Sequence, residues 1–247
     1  MRKYRVLSLF AGCGAFDLGL ERSGGFETVA LCEIDSEARA TLSARFPGVP
    51  QYDDVRTLTA DRLHRDGIEP DAIIGGFPCQ DVSLAGFGKG LAGSRSGLWS
   101  EFARLIGEIG PRLVIVENVT ALLGRGFGTV LADLAAIGRD AEWDCLSPCM
   151  FGVRQRRDRC FFVAHPHRRK RAESRQRTVL RRQVTPAPFG DEQPVPHGMR
   201  VAERPSDRVD IGKRIGACAN IAAPQVVEVV ARAILSYEMT SSERSGG

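Results

Sequence analysis

RVLSLFAGCG, residues 5–14, decides the fold. Its first half is a run of apolar and β-branched residues that reads as a strand. Its second half is a turn with glycines at positions 12 and 14, and residues 16–22 then continue in helical spacing. A buried strand that ends in a glycine turn and feeds a helix is the opening unit of an α/β sheet. Working outward, the alternation repeats. Residues 28–32 read as a strand and 37–46 as a helix closed by Pro47 and Gly48; 71–74 and 113–116 read as strands, 98–109 and 129–137 as helices. This rhythm predicts a doubly wound parallel α/β sheet, with ligands at the carboxyl ends of its strands.

The 247 residues, 43% of them hydrophobic, suffice for one large domain over 1–165. From 166 to 211 arginine, proline and polar residues replace the periodic pattern, so this stretch reads as a mostly irregular insert. Helical spacing returns at 223–235 behind Pro224, which makes 212–247 a segment folding back on the first domain, with a loose tail from 241. No secretory leader or membrane-spanning run is evident, and a cytoplasmic location with no membrane partner is expected. Seven scattered cysteines, an odd number, argue for reduced thiols rather than a disulfide framework. Neither Cys145-x-x-x-Cys149 nor His165-Pro166-His167 has partners at metal-site spacing, so no metal is expected. The net charge of +4 is modest, but residues 154–182 carry only two acids, Asp158 and Glu173, among many arginines. Such a block can neutralise phosphates, which makes nucleic acid the first partner to consider; a merely solvated basic loop is the other reading.

Four strand ends carry chemistry. Gly12-x-Gly14-x-x-Asp17 ends the first, and Glu33 ends the second. Glycines let the backbone approach a ligand, while an acid at the second position can accept hydrogen bonds from a ribose diol. The third glycine of a dinucleotide fingerprint is missing, and Asp17 stands where a pyrophosphate would be repelled. A nucleoside cofactor without phosphates, such as S-adenosyl-L-methionine, fits better. Asp53-Asp54-Val55 adds a candidate for the adenine. GGFPCQDVS, residues 75–83, places Cys79 behind a proline at a strand tip, where a packing cysteine would not sit. Glu117-Asn118-Val119 closes its strand in the same way, so thiol and carboxyl can face one substrate. Gln155-x-Arg157-x-Arg159 alternates; on a strand its side chains would share a face suited to a phosphate or a base carbonyl.

Taken in order, these stretches, together with Ala219-Asn220-x-x-x-Pro224-Gln225, resemble the cytosine-C5 DNA methyltransferase family, in particular its small prokaryotic and phage-type members. The resemblance implies a Rossmann-like S-adenosylmethionine-dependent methyltransferase fold. Residues 1–165 would then be the catalytic and cofactor-binding domain, and 166–211 a short target-recognition-like insert. It further implies methyl transfer to carbon 5 of cytosine in double-stranded DNA, by covalent addition of Cys79 to carbon 6 of a flipped base. Glu117 would hydrogen-bond N3 and the exocyclic amine, Arg159 would hold O2, Arg157 would support the site and Asn118 would steady the turn. Phe10, Gly12 and Gly14 would line the methionine end of the cofactor and Glu33 its ribose. Ile34 and Val55 would face the adenine, Asp54 its amino group, and Pro78, Leu98 and Asn220 would complete the pocket. Gln80, Ser83, Arg95 and Gln155 would touch nucleic acid.

Ala15, Arg154 and Ala219 depart from the family pattern, which has glycine, proline and glycine at those places, and the insert is short for a region that reads bases. An RNA cytosine-C5 methyltransferase and a catalytically silent nucleic-acid-binding homologue therefore stay open as alternatives. A restriction system or a separate specificity protein stays open as a further partner.

Overall fold

A computed structural model describes residues 2–78, 97–124, 126–153, 157–167 and 223–243. The elements run β1 (Tyr4–Leu9), α1 (Ala15–Arg22), β2 (Phe26–Cys32), α2 (Ser36–Arg45), β3 (Gln51–Tyr52), α3 (Ala60–Arg65), β4 (Ala72–Gly75), α4 (Leu98–Ile109), β5 (Leu113–Val119), α5 (Phe127–Ala136), β6 (Arg139–Leu146), β7 (Arg159–Pro166) and α6 (Pro224–Glu243). The strands form one sheet in the order β3-β2-β1-β4-β5-β7-β6.

The β1 to β5 neighbours are all parallel. β7 is antiparallel to both β5 and β6, so the sheet is mixed where the sequence rhythm predicts a parallel one. The described part of the link between β6 and β7 holds only a 310 turn, Pro148–Phe151, and a parallel pairing would need a crossover, usually helical.

Period-two alternation divides the core between the two faces of the sheet. Leu7, Ile73, Val114, Val116 and Phe162 pack on one face against Trp99, Phe102 and Ile106 of α4 and Phe127, Val130 and Leu134 of α5. Val6, Ile74, Ile115, Phe161 and Val163 pack on the other against Phe16 and Leu20 of α1 and Val227, Val230 and Ile234 of α6. Burying each of these large side chains favours folding by about 1.5–3 kcal/mol, which explains why short strands with no polar face hold register here. Gly19 permits the α1–α6 contact, since a Cβ there would lie 2.5 Å from the Pro224 carbonyl oxygen and 2.6 Å from Val227 Cβ.

α6 continues through Glu243, three residues into the stretch expected to be a loose tail. β3, α3 and the β6–β7 pair go beyond the sequence reading, the first two because they are too short to show a period. Among the described residues Cys32, Cys145, Cys149 and Cys160 are free thiols. His167 Nδ1 lies 2.7 Å from Asp140 Oδ1 at the β6–β7 margin. Among the described residues, no helix is long and apolar enough to cross a membrane.

Candidate active site

The chain runs outward from β1 to β3 on one side and restarts at β4 on the other, so the strand order reverses between β1 and β4. Connections diverge from such a point and leave a crevice at the carboxyl ends of the strands. A cavity of about 590 Å³ lies there, and its walls include Phe10, Gly12, Glu33, Ile34, Asp54, Val55, Pro78, Leu98 and Glu117. The volume suits a small organic ligand.

The β1–β2 end is built by backbone geometry. Phe10 has φ 53° and Gly12 φ 54°; a left-handed conformation costs a residue with a side chain about 1–2 kcal/mol. The turn aims the Gly12 N–H at Glu33 Oε2, 2.7 Å away, while Glu33 Oε1 accepts from the Asp35 N–H at 2.9 Å. Arg39 Nη1 donates to the carbonyls of Glu33 and Ile34 at 2.9 and 2.7 Å, fixing the same turn from α2. The Gly12 donor, which a diphosphate would need, is thus already taken by a carboxylate. Beyond Glu33 the wall mixes apolar and charged side chains: Ile34, 66% exposed, and the buried Val55 line it together with Asp54 and Arg56.

At the β4–β5 end Glu117 and Asn118 are both buried. Asn118 Nδ2 donates to the Phe77 carbonyl at 2.9 Å, and its Oδ1 accepts from the Val119 N–H at 2.8 Å. It therefore ties the strand end to the turn that leads into Pro78. Arg159, on the neighbouring β7, brings Nε to 2.6 Å from Glu117 Oε1. The contact is off the N–H axis, and both buried atoms lack a hydrogen bond among the described residues. Burial pushes the Glu117 carboxyl up to about 7, against the lowering pull of the Arg159 and Arg157 charges. Arg157 is itself lowered, first by desolvation and then by Arg159. Gly76 makes room for the acid, since a Cβ there would lie 2.9 Å from Glu117 Oε2.

Two expectations need correction. Gly14 does not line the cavity: it caps α1 at φ 74°, and a Cβ would strike Phe46 Cε2 at 2.4 Å, so it is glycine for the packing of α2. Asp17 does not face a ligand either. It is fully buried beneath the turn, accepting from Ser8 Oγ at 2.9 Å and Thr28 Oγ1 at 3.2 Å, and burial raises its pKa to about 6. Glu33, rather than Asp17, is therefore the carboxylate that disfavours a pyrophosphate at this turn. The departure at Ala15 carries no backbone strain, because Phe10 is the one residue other than glycine with positive φ among the described residues. Cys79, Gln80, Ser83, Arg95, Arg154, Gln155, Ala219 and Asn220 lie outside the described residues. The sequence reading missed the wall residues Ser8, Asp35, Ser36, Glu37 and Arg56; the signal was their place just before or after a strand tip.

The family model for C-5 cytosine-specific DNA methylase matches residues 4–198. The chain belongs to this family. Among curated relatives, Type II methyltransferase M2.BsuMI of Bacillus subtilis (strain 168) is 36% identical over 168 residues, 65% of this chain and 41% of the relative. Type II methyltransferase M.Bsp6I of Bacillus sp. (strain RFL6) is 34% identical over 165 residues, 64% of this chain and 51% of the relative. The chain thus spans about half the length of the curated relatives it matches. Its fold matches a crystal structure assigned as a DNA modification methyltransferase encoded within an Escherichia coli prophage, with TM-score 0.55 and 28% identity over 66% of this chain and 47% of that one. Spodoptera frugiperda DNMT2 shares the fold at TM-score 0.57 and 19% identity, over 71% of this chain and 54% of that one. Family and Rossmann-like fold imply S-adenosylmethionine use in general.

Proposed function

We propose that this chain transfers a methyl group from S-adenosylmethionine to carbon 5 of cytosine in double-stranded DNA, through a covalent Cys79 adduct on a flipped base. The observation that carries the reading is a shared cavity: the buried carboxyl of Glu117 opens into the same space as Glu33 and Pro78, the residue preceding Cys79.

The cavity fits the cofactor. Glu33 keeps spare lone pairs for a ribose diol, Ile34 and Val55 offer apolar faces for adenine, Asp54 offers an acceptor for its amine, and Phe10 and Leu98 line the remaining wall. Asn220 would complete this pocket. When bound, S-adenosylmethionine supplies an electrophilic methyl carbon.

Carbon 5 of cytosine is a weak nucleophile. Addition of the Cys79 thiolate to carbon 6 would push electron density onto carbon 5 and N3. Glu117, held near pH 7 between acid and anion, would supply a proton or hydrogen bond at N3 as that charge arrives. Loss of the carbon 5 proton after methyl transfer would expel the thiolate and restore the ring. Arg159 would bind O2, with Arg157 adding positive charge. Gln80, Ser83, Arg95 and Gln155 would contact the DNA, whose target base must leave the stack to be reached.

Duplex DNA containing 5-fluorocytosine tests the reading, because fluorine cannot leave as the proton does. With S-adenosylmethionine the chain should form a denaturation-resistant adduct whose cross-linked peptide contains Cys79. An adduct that persists in Cys79→Ser, or none with the unaltered chain, would reject it. Sequencing of methylated bases in DNA from expressing cells would test activity and target sequence together.

A further inference from the structure

Asp54 and Arg56 both line the cavity beside Val55. Among the described residues the Asp54 carboxylate receives four hydrogen bonds, all from Arg56. Oδ1 accepts from the Arg56 N–H at 2.9 Å and from Nε at 2.9 Å; Oδ2 accepts from Nε at 3.1 Å and from Nη2 at 2.8 Å. A carboxylate has about four lone-pair sites, so one arginine fills them. The pairing holds the Asp54 carboxyl below its ordinary range.

The backbone of this turn is held independently of that pair. Arg104 Nη2, from α4, donates to the carbonyls of Val55 and Leu58 at 3.0 and 2.9 Å, and the Thr57 N–H donates to the Asp54 carbonyl at 3.2 Å. The Arg56 side chain, by contrast, is 60% exposed. Its guanidinium can swing into water without moving the wall, and separating so exposed a pair is cheap.

We propose that Arg56 is a specificity-tuning residue that competes with the nucleobase for Asp54, and that a 6-aminopurine must displace its guanidinium to bind. The proposal rests on the reading of Asp54 as the adenine acceptor and goes beyond it in assigning Arg56 a role. A 6-amino group is a donor and needs the carboxylate that Arg56 occupies. A 6-oxo group is an acceptor and can be met by the guanidinium where it stands. Arg56 therefore weakens binding of the amino base and favours the oxo base, narrowing the preference between them.

Calorimetry on the full chain with S-adenosylhomocysteine and S-inosylhomocysteine, in which a 6-oxo group and an N1–H replace the 6-amino group and the bare N1, tests this. Arg56→Ala should bind the adenosyl probe about two- to fivefold tighter and the inosyl probe no tighter or more weakly. Arg56→Lys, which keeps the charge but loses the fork, should fall between. A loss of fold would weaken both probes together, so opposite shifts exclude a merely structural effect. Weaker adenosyl binding by Arg56→Ala, or equal shifts for both probes, would overturn the competition while leaving Asp54 as acceptor, provided Asp54→Asn still lowers the adenosyl preference. An Asp54→Asn variant with unchanged preference would overturn the reading of Asp54 and the inference with it.

Discussion

Glu33 and Glu117 stand at strand tips on opposite sides of the β1–β4 switch point and border one cavity. Both oxygens of Glu33 are held by backbone N–H groups. Glu117 is buried beside a cation, with an oxygen that lacks a hydrogen bond among the described residues. A carboxylate with its backbone donors in place is a fixed bracket that can bind a ligand without changing state. A buried carboxyl with unmet demand is poised to exchange a proton with whatever enters. On the proposed function, that difference suits one end of the cavity to binding and the other to chemistry. Asp17 sharpens the contrast, since it is as buried as Glu117 but hydrogen-bonded by Ser8 and Thr28 and turned away from the cavity.

The largest expected effect is at Glu117. Glu117→Gln keeps the shape and loses the acid, and methyl transfer should fall by about 10²–10⁴-fold with S-adenosylhomocysteine affinity unchanged in calorimetry. If the neutral acid is the working form, as proposed, the rate of the unaltered chain should fall as pH rises through about 7, and the variant should lack that limb. Equal losses in affinity and rate would erase the proposed division between the ends.

Asp17 comes next. Its folded pKa is raised from 3.8 to about 6, so the fold favours the neutral acid: stability is greatest below the unfolded value and is lost as pH rises through the folded one. The loss should reach roughly 3 kcal/mol. Asp17→Asn removes it. Urea unfolding should therefore show the variant gaining on the unaltered chain between about pH 4 and pH 6 and holding a constant lead above, with methyl transfer rates little altered. A large fall in rate would mean that Asp17 acts on the chemistry.

Smaller effects test the fit at each end. Gly76→Ala crowds Glu117 Oε2 and should lower turnover roughly tenfold through misplacement of that carboxyl, measurable as a change in kcat with little change in cofactor KM. Glu33→Gln puts an amide N–H where one backbone donor needs an acceptor. It should weaken S-adenosylhomocysteine binding by about tenfold while sparing kcat, the reverse of the split expected for Gly76→Ala.

The strands and helices of the first half were legible because they repeat a strong local signal. Residues 98–109, read as a helix from spacing, form α4 with those same bounds. β7 was harder to see, because Arg159–Pro166 sits against a basic stretch and its pairing with β5 skips over α5 and β6 in sequence. The cavity wall was legible at Phe10, Gly12, Glu33, Ile34, Asp54, Val55, Pro78, Leu98 and Glu117, since polar or glycine residues at the end of an apolar run stand out. Gly14 and Asp17 were misread because a glycine or carboxylate after a strand looks the same whether it faces a ligand or a neighbouring helix.

Local periodicity thus determined which segments are strands and helices, and motif order determined the family, because both are written in contiguous residues. Tertiary structure alone decided that β7 runs against β5, that Glu33 seals the Gly12 donor and that Arg159 stands beside Glu117. Direction of pairing, burial and the satisfaction of a buried carboxyl depend on which atoms meet across the chain, and no local pattern carries that.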